Sequence, residues 1–170
     1  KLWKKNTSPP HILVMTATPI PRTLAMSVYG DLDISIIKEL PPGRKKTTTV
    51  HRYDKDRLSV YKFLKDQIKL GRQVYIVYPL INESEKLDYK DLVDGYESML
   101  RDFPRPEYQV GILHGKMKSI DKNIEMERFV NNKTQILVST TVIEVGVNIP
   151  NASVMMIESS ERFGLSQLHQ

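Results

Sequence analysis

QVYIVYPLI, residues 73–81, is apolar almost throughout and rich in β-branched side chains. A half-exposed strand alternates apolar and polar residues. A run without alternation suits a strand covered by helices on both faces, as in a parallel sheet. Further runs extend the pattern: TTTVHRY (residues 47–53), QVGILHG (109–115), TQILVST (134–140) and ASVMMIES (152–159). Between them, apolar residues recur at helical spacing. Leu58, Tyr61, Leu64 and Ile68 precede Gly71, which is placed to stop a helix. Ile120 with Ile124, and Met126 with Phe129 and Val130, do the same before Asn131, and residues 91–103 form a third, less marked helix. Strands alternating with helices predict an α/β fold with a parallel sheet flanked by helices.

The earlier part of the chain is organised differently. HILVMTATPIPRTLAMSVYG, residues 11–30, predicts one apolar strand over residues 12–15, then Pro19 and Pro21, then a helix from Arg22. LPPGRKK, residues 40–46, comes next: Pro41 and Pro42 fix extended backbone and Gly43 permits a turn, which makes it the best domain boundary. One strand and one helix bury too little to stand alone, so residues 1–42 are expected to pack against further sequence.

A chain of 170 residues accommodates one ordinary domain, and its apolar and charged fractions are those of a globular protein. No apolar run approaches the roughly 18 residues a spanning helix needs. KLWKKN, residues 1–6, carries neither an initiating methionine nor an apolar signal core, and reads as a piece of a longer protein. Cysteine is absent, which removes disulfides, zinc–thiolate sites and cysteine nucleophiles together. A formal charge of +5 leans toward an anionic partner, although no segment interleaves basic and aromatic residues as a stacking platform would.

GILHGKMKS, residues 111–119, imitates a phosphate loop and fails its spacing. The first glycine position holds Val110, and Met117 stands where a hydroxyl must reach magnesium. On the residues alone, His114 and Gly115 fit a plain strand-to-helix turn.

MTATPIPRTL, residues 15–24, resembles motif III of superfamily-two helicases. GDLDISIIKELPPGRK (30–45) is similar to the bridge between the two RecA-like motor lobes of RecG-type DNA helicases, TTVIEVGVNIPNA (140–152) to their motif V, and ERFGLSQLHQ (161–170) to the run into motif VI. Order, spacing and coverage from Ile12 to Gln170 carry the resemblance. It implies that residues 1–42 are the tail of a first RecA-like lobe with its linker, and residues 43–170 most of a second.

The resemblance also implies site residues. Thr16, Ala17 and Thr18 would couple nucleotide state to the placement of the lobes. His114, Gly115 and Lys116 would face the nucleic-acid strand, where backbone N–H groups and a lysine hold a DNA phosphate. Ser139, Thr140 and Thr141 put hydroxyls at a strand end, suited to phosphate oxygens rather than base edges. Glu144, Gly146, Asn148 and Gln170 would face ATP. Asn148 stands where the family more often has aspartate, and its carbonyl still accepts from a ribose hydroxyl, with less charge assistance.

Neither a phosphate loop nor a DExH box occurs in the chain. The resemblance places both upstream and the motif VI arginines after Gln170, so ATP and Mg2+ belong to a full-length parent and none is expected on the chain alone. The implied parent is a cytoplasmic ATP-dependent helicase acting on branched or forked DNA, of open oligomeric state and with no membrane partner. A transcription-repair translocase, which shares TATPIPRTL, and a non-catalytic nucleic-acid-binding module on a degenerate lobe are the alternatives.

Overall fold

The structure, a computed structural model, describes residues 13, 15, 35–37, 39, 46–79, 85–140, 149–164, 167 and 168. Residues 46–164 form one compact unit, and residues 1–45 with 165–170 another. All the helices and strands named below belong to the 46–164 unit.

Its elements alternate: α1 (Arg57–Lys69), β1 (Gln73–Val77), α2 (Glu85–Asp102), β2 (Val110–Leu113), α3 (Ser119–Val130), β3 (Ile136–Ser139) and β4 (Ala152–Ile157). Short 3-10 turns precede α1 at Asp54–Asp56 and come after β4 at Ser160–Arg162. The strands make one sheet in the order β2-β3-β1-β4, every pairing parallel. The expected α/β fold is therefore present, with the sheet's two faces covered by different helices.

The side-chain period of two explains the division. Val74 and Ile76 of β1, with Ile136 and Val138 of β3, meet Tyr61 and Leu64 of α1, Leu92 and Met99 of α2, and Phe103 directly after α2 in one core cluster. Leu92, Met99 and Phe103 recur at helical spacing, so α2 and its end present one apolar stripe. The intervening Leu137 joins Leu113 and Phe129 of α3 on the opposite face, with Tyr75 packed against them. Phe129 is fully buried, and its ring lies 4.8 Å from that of Tyr75. Gln73, also fully buried, donates from Nε2 to the Phe129 carbonyl at 2.6 Å and the Thr134 carbonyl at 2.7 Å, tying the start of β1 to the end of α3.

Helix stops obey their local chemistry. Gly71 takes a φ of 79°, the left-handed backbone that favours glycine, just past α1. After α3 the cap is Asn131 and the left-handed residue is Asn132, with a φ of 57°.

TTTVHRY is the correction. Residues 46–53 form no strand and are exposed, Val50 at 57% and Tyr53 at 66%. A β-branched run becomes a strand only beside a ladder partner, and no described strand pairs with it. Three α3 residues also depart from the expected apolar face: Ile120, Ile124 and Val130 are exposed at 72%, 48% and 49%, and the helix docks through Phe129 and Met126 instead. Leu58 points outward likewise, leaving Tyr61, Leu64 and Ile68 as the α1 face. Leu13 and Met15 are exposed and carry no strand; the rest of the proposed strand at 12–15, the helix from Arg22 and LPPGRK lie outside the described residues.

Candidate functional site

In a parallel sheet all strands finish at one edge, and the loops leaving that edge are where open α/β sheets bind ligands. Leu113 pairs with Ser139, and Ser139 with Val77, which pairs in turn with Ile157. The register therefore sets His114–Lys116 beside Ser139 and Thr140 at one end of the sheet. These segments are remote in sequence and were expected to share one strand-facing surface.

Within this group exposure differs. Gly115 and Lys116 are exposed and His114 half-buried, whereas Ser139 and Thr140 are 1% and 4% exposed. The chain turns tightly after β2, the Met117 N–H donating to the His114 carbonyl at 3.2 Å. Lys118 then caps α3 with extended backbone and no side-chain cap bond. A Cβ built on Gly115 meets nothing within 4 Å, so its absence keeps the surface open and relieves no crowding. Lys122, one turn into α3, donates from Nζ to the Gly115 carbonyl at 3.0 Å. Burial pushes the His114 imidazole below its ordinary value, and the Lys122 and Lys116 ammonium groups act in the same direction. His114 is thus neutral at pH 7, with one ring nitrogen to donate and one to accept.

Lys116, Lys118 and Lys122 outnumber Asp121, the acidic residue of the first turn of α3, so this corner of the molecule is cationic. It can hold phosphate oxygens without reading a base edge. Sequence reasoning missed Lys122; the signal available was a lysine one helical turn past the cap, close enough to reach back over the turn.

A second feature at the same end of the sheet was not foreseen. A shallow cleft of about 360 Å³ is lined by Arg57, Tyr78, Asp91, Asp94, Glu158 and Arg162, among others. Arg57 forks onto Glu158 at 2.7 and 3.1 Å, and also donates to Asp54 at 2.7 Å and the Tyr61 hydroxyl at 3.0 Å. Glu158 heads the causes that push the Arg57 guanidinium further up from an already high value. Burial, with Glu158 adding, pushes the Tyr78 phenol well up, so it stays protonated. The two arginines are matched by carboxylates, Arg162 reaching Asp91 at 3.5 Å, so the cleft ties α1, β4 and α2 together.

Thr16, Ala17, Thr18, Thr141, Glu144, Gly146, Asn148 and Gln170 lie outside the described residues. Among the described residues no three His, Asp or Glu side chains gather as metal ligands.

The chain is similar to the ATP-dependent DNA helicase RecG of Aquifex aeolicus, with 55% identity over 161 residues, covering 95% of this chain and 20% of that protein. The RecG of Synechocystis sp. is 51% identical over 170 residues, 100% of this chain and 20% of the relative. The chain thus spans about a fifth of the length of these curated relatives. Among solved structures, the Sulfolobus solfataricus SWI2/SNF2 ATPase C-terminal domain superposes with a TM-score of 0.44 at 9% identity, covering 59% of this chain and 47% of that one. The profile of the helicase conserved C-terminal domain matches residues 57–170, from the start of α1 to the final residue, and the chain belongs to that family.

Proposed function

We propose that the chain is part of an ATP-dependent DNA helicase of the RecG type, with residues 1–42 the tail of the first motor lobe and its linker and residues 43–170 the second lobe. One observation carries this reading: the 51% identity to a protein named ATP-dependent DNA helicase RecG runs through all 170 residues, not through the motifs alone. In this reading the parent works in the cytoplasm with ATP and Mg2+ on branched duplex DNA, such as a stalled fork or Holliday junction.

The chain's own contribution is a grip on the DNA backbone. Lys116 sits on a phosphate as a point charge, and neutral His114 donates a hydrogen bond beside it. Gly115 lets the strand approach the backbone closely. The hydroxyls of Ser139, Thr140 and Thr141 belong to the same DNA-binding group, and Thr16, Ala17 and Thr18 couple the lobes. Glu144, Gly146, Asn148 and Gln170 face the nucleotide. A grip on phosphates alone lets a motor step over any sequence.

The test uses the full-length protein, with ATP hydrolysis measured with and without forked duplex DNA, beside unwinding of that fork. Wild type should hydrolyse ATP faster on the fork and separate its strands. His114→Ala and Lys116→Ala should each lose much of the DNA-stimulated rate. A wild-type protein indifferent to DNA would sink the reading, and variants that keep full stimulation and affinity would remove the proposed grip.

A further inference from the structure

We infer that Lys122 is a positioning residue for the DNA contact: its ammonium holds the Gly115 carbonyl toward α3 and thereby aims the Gly115–Lys116 peptide and the Lys116 side chain outward. The inference rests on the helicase reading above, because it assigns the turn's partner as a DNA phosphate.

The geometry starts from a double tie. The Lys122 backbone N–H donates to the Lys118 carbonyl at 3.0 Å, as an early helical residue must, while its side chain turns back to the Gly115 carbonyl, also at 3.0 Å. One residue thus fastens the loop to the helix by main chain and side chain together. The Gly115–Lys116 peptide is trans and planar, so fixing where its C=O points also fixes where its N–H points, in the opposite direction. With the carbonyl held toward Lys122, the Lys116 N–H is aimed away from α3. That is the outer side of the turn, where Gly115 leaves open space.

Without such a tie this peptide has weak reasons to keep its orientation. Glycine tolerates a wide range of backbone angles, Gly115 is exposed, and α3 carries no side-chain cap bond that would order its entrance. The tie therefore lowers the ordering cost that a phosphate contact at Lys116 would otherwise meet. Lys122 is half-covered and its ammonium lies on the Gly115 carbonyl; Lys116 is exposed to solvent. The two lysines have different tasks: Lys116 meets the phosphate and Lys122 sets the turn.

A double-mutant cycle on the full-length protein separates these tasks. Affinity for a fluorescein-labelled forked duplex is read by anisotropy across a potassium chloride titration for Lys116→Ala, Lys122→Met, Lys122→Arg and the Lys116→Ala/Lys122→Met pair. Lys122→Met should weaken binding about three- to tenfold, the scale of one lost hydrogen bond. Lys122→Arg, which keeps a cationic donor, should bind like wild type. The paired variant should lose clearly less than the sum of the two single losses, because Lys116→Ala has already removed the side chain that the tie positions and leaves only the peptide N–H to be aimed.

Additive losses, with each substitution lowering the salt slope by about one, would make Lys122 an independent phosphate contact and overturn the inference. Wild-type affinity in Lys122→Met, while Lys116→Ala is weakened, would overturn it as well. If Lys116→Ala also binds like wild type, the DNA grip itself fails and the inference falls with it.

Discussion

Arg57 at the first residue of α1 and Glu158 just beyond β4 lie 101 residues apart in sequence, and their side chains meet in a two-pronged ion pair at 2.7 and 3.1 Å. Arg57 is 40% exposed and Glu158 only 14%. The pair fastens the entrance of the unit's first helix to the exit of its edge strand, beside Ser159, which holds a left-handed φ of 47°. Arg57→Ala leaves a mostly buried carboxylate without this partner and should cost about 1–2 kcal/mol, less than a fully buried pair because Arg57 is partly hydrated. Arg57→Lys keeps the charge but not the fork and should cost less. Urea unfolding of the three proteins checks this; equal midpoints would show the pair contributes nothing.

Phe129 and Ile120 occupy the same helix with opposite fates. Phe129 is fully buried against Tyr75, so Phe129→Ala should destabilise by about 3–5 kcal/mol. Ile120, 72% exposed, should change stability by no more than about 0.5 kcal/mol when replaced by alanine. Thermal melts of both variants measure the contrast, and a large loss at Ile120 would reveal a covering surface that the described residues do not supply.

Gly95 and Gly115 make a second contrasting pair. A Cβ at Gly95, inside α2, would run into the Tyr78 ring, whereas at Gly115 it meets nothing within 4 Å. Alanine favours a helix interior over glycine by roughly 0.5–1 kcal/mol, but crowding of this kind costs about 1–3 kcal/mol, so Gly95→Ala should be net destabilising. Gly115→Ala should leave the unfolding midpoint unchanged while weakening the grip on forked DNA. A stabilised Gly95→Ala would mean that Tyr78 yields its place freely.

Stability should depend on pH through His114. Its folded value lies below the ordinary 6.5, so as pH falls past 6.5 the unfolded chain takes up a proton that the folded protein resists. This contribution is fully present above 6.5 and is lost as pH falls through the window beneath it. Urea midpoints at pH 7.5 and 5.5 should differ less in His114→Gln than in wild type, and an unchanged difference would assign the slope to other groups.

Much of the architecture was legible because it is written locally. Largely apolar runs at residues 73–77, 110–113, 136–139 and 152–157 became parallel strands. Gly71 marked the end of α1 and Asn131 the end of α3, although the left-handed residue there is Asn132, one position further on. The turn after β2 was also visible, as a glycine and a lysine directly after an apolar run, although its resemblance to a phosphate loop failed by count.

Sequence by itself determined the three helices and four of the five expected strands of the 46–164 unit, and the family to which the chain is similar, because periodicity, helix stops and motif order are properties of neighbouring residues. Tertiary structure alone decided the strand order β2-β3-β1-β4, the loss of TTTVHRY as a strand, the ion pair of Arg57 with Glu158, the burial of Ser139 and Thr140, and the reach of Lys122 to Gly115. The physical reason is that a strand needs a ladder partner, an ion pair needs its opposite charge, and a hydroxyl is buried only by what packs over it. Those partners arrive from distant parts of the chain, and no local pattern names them.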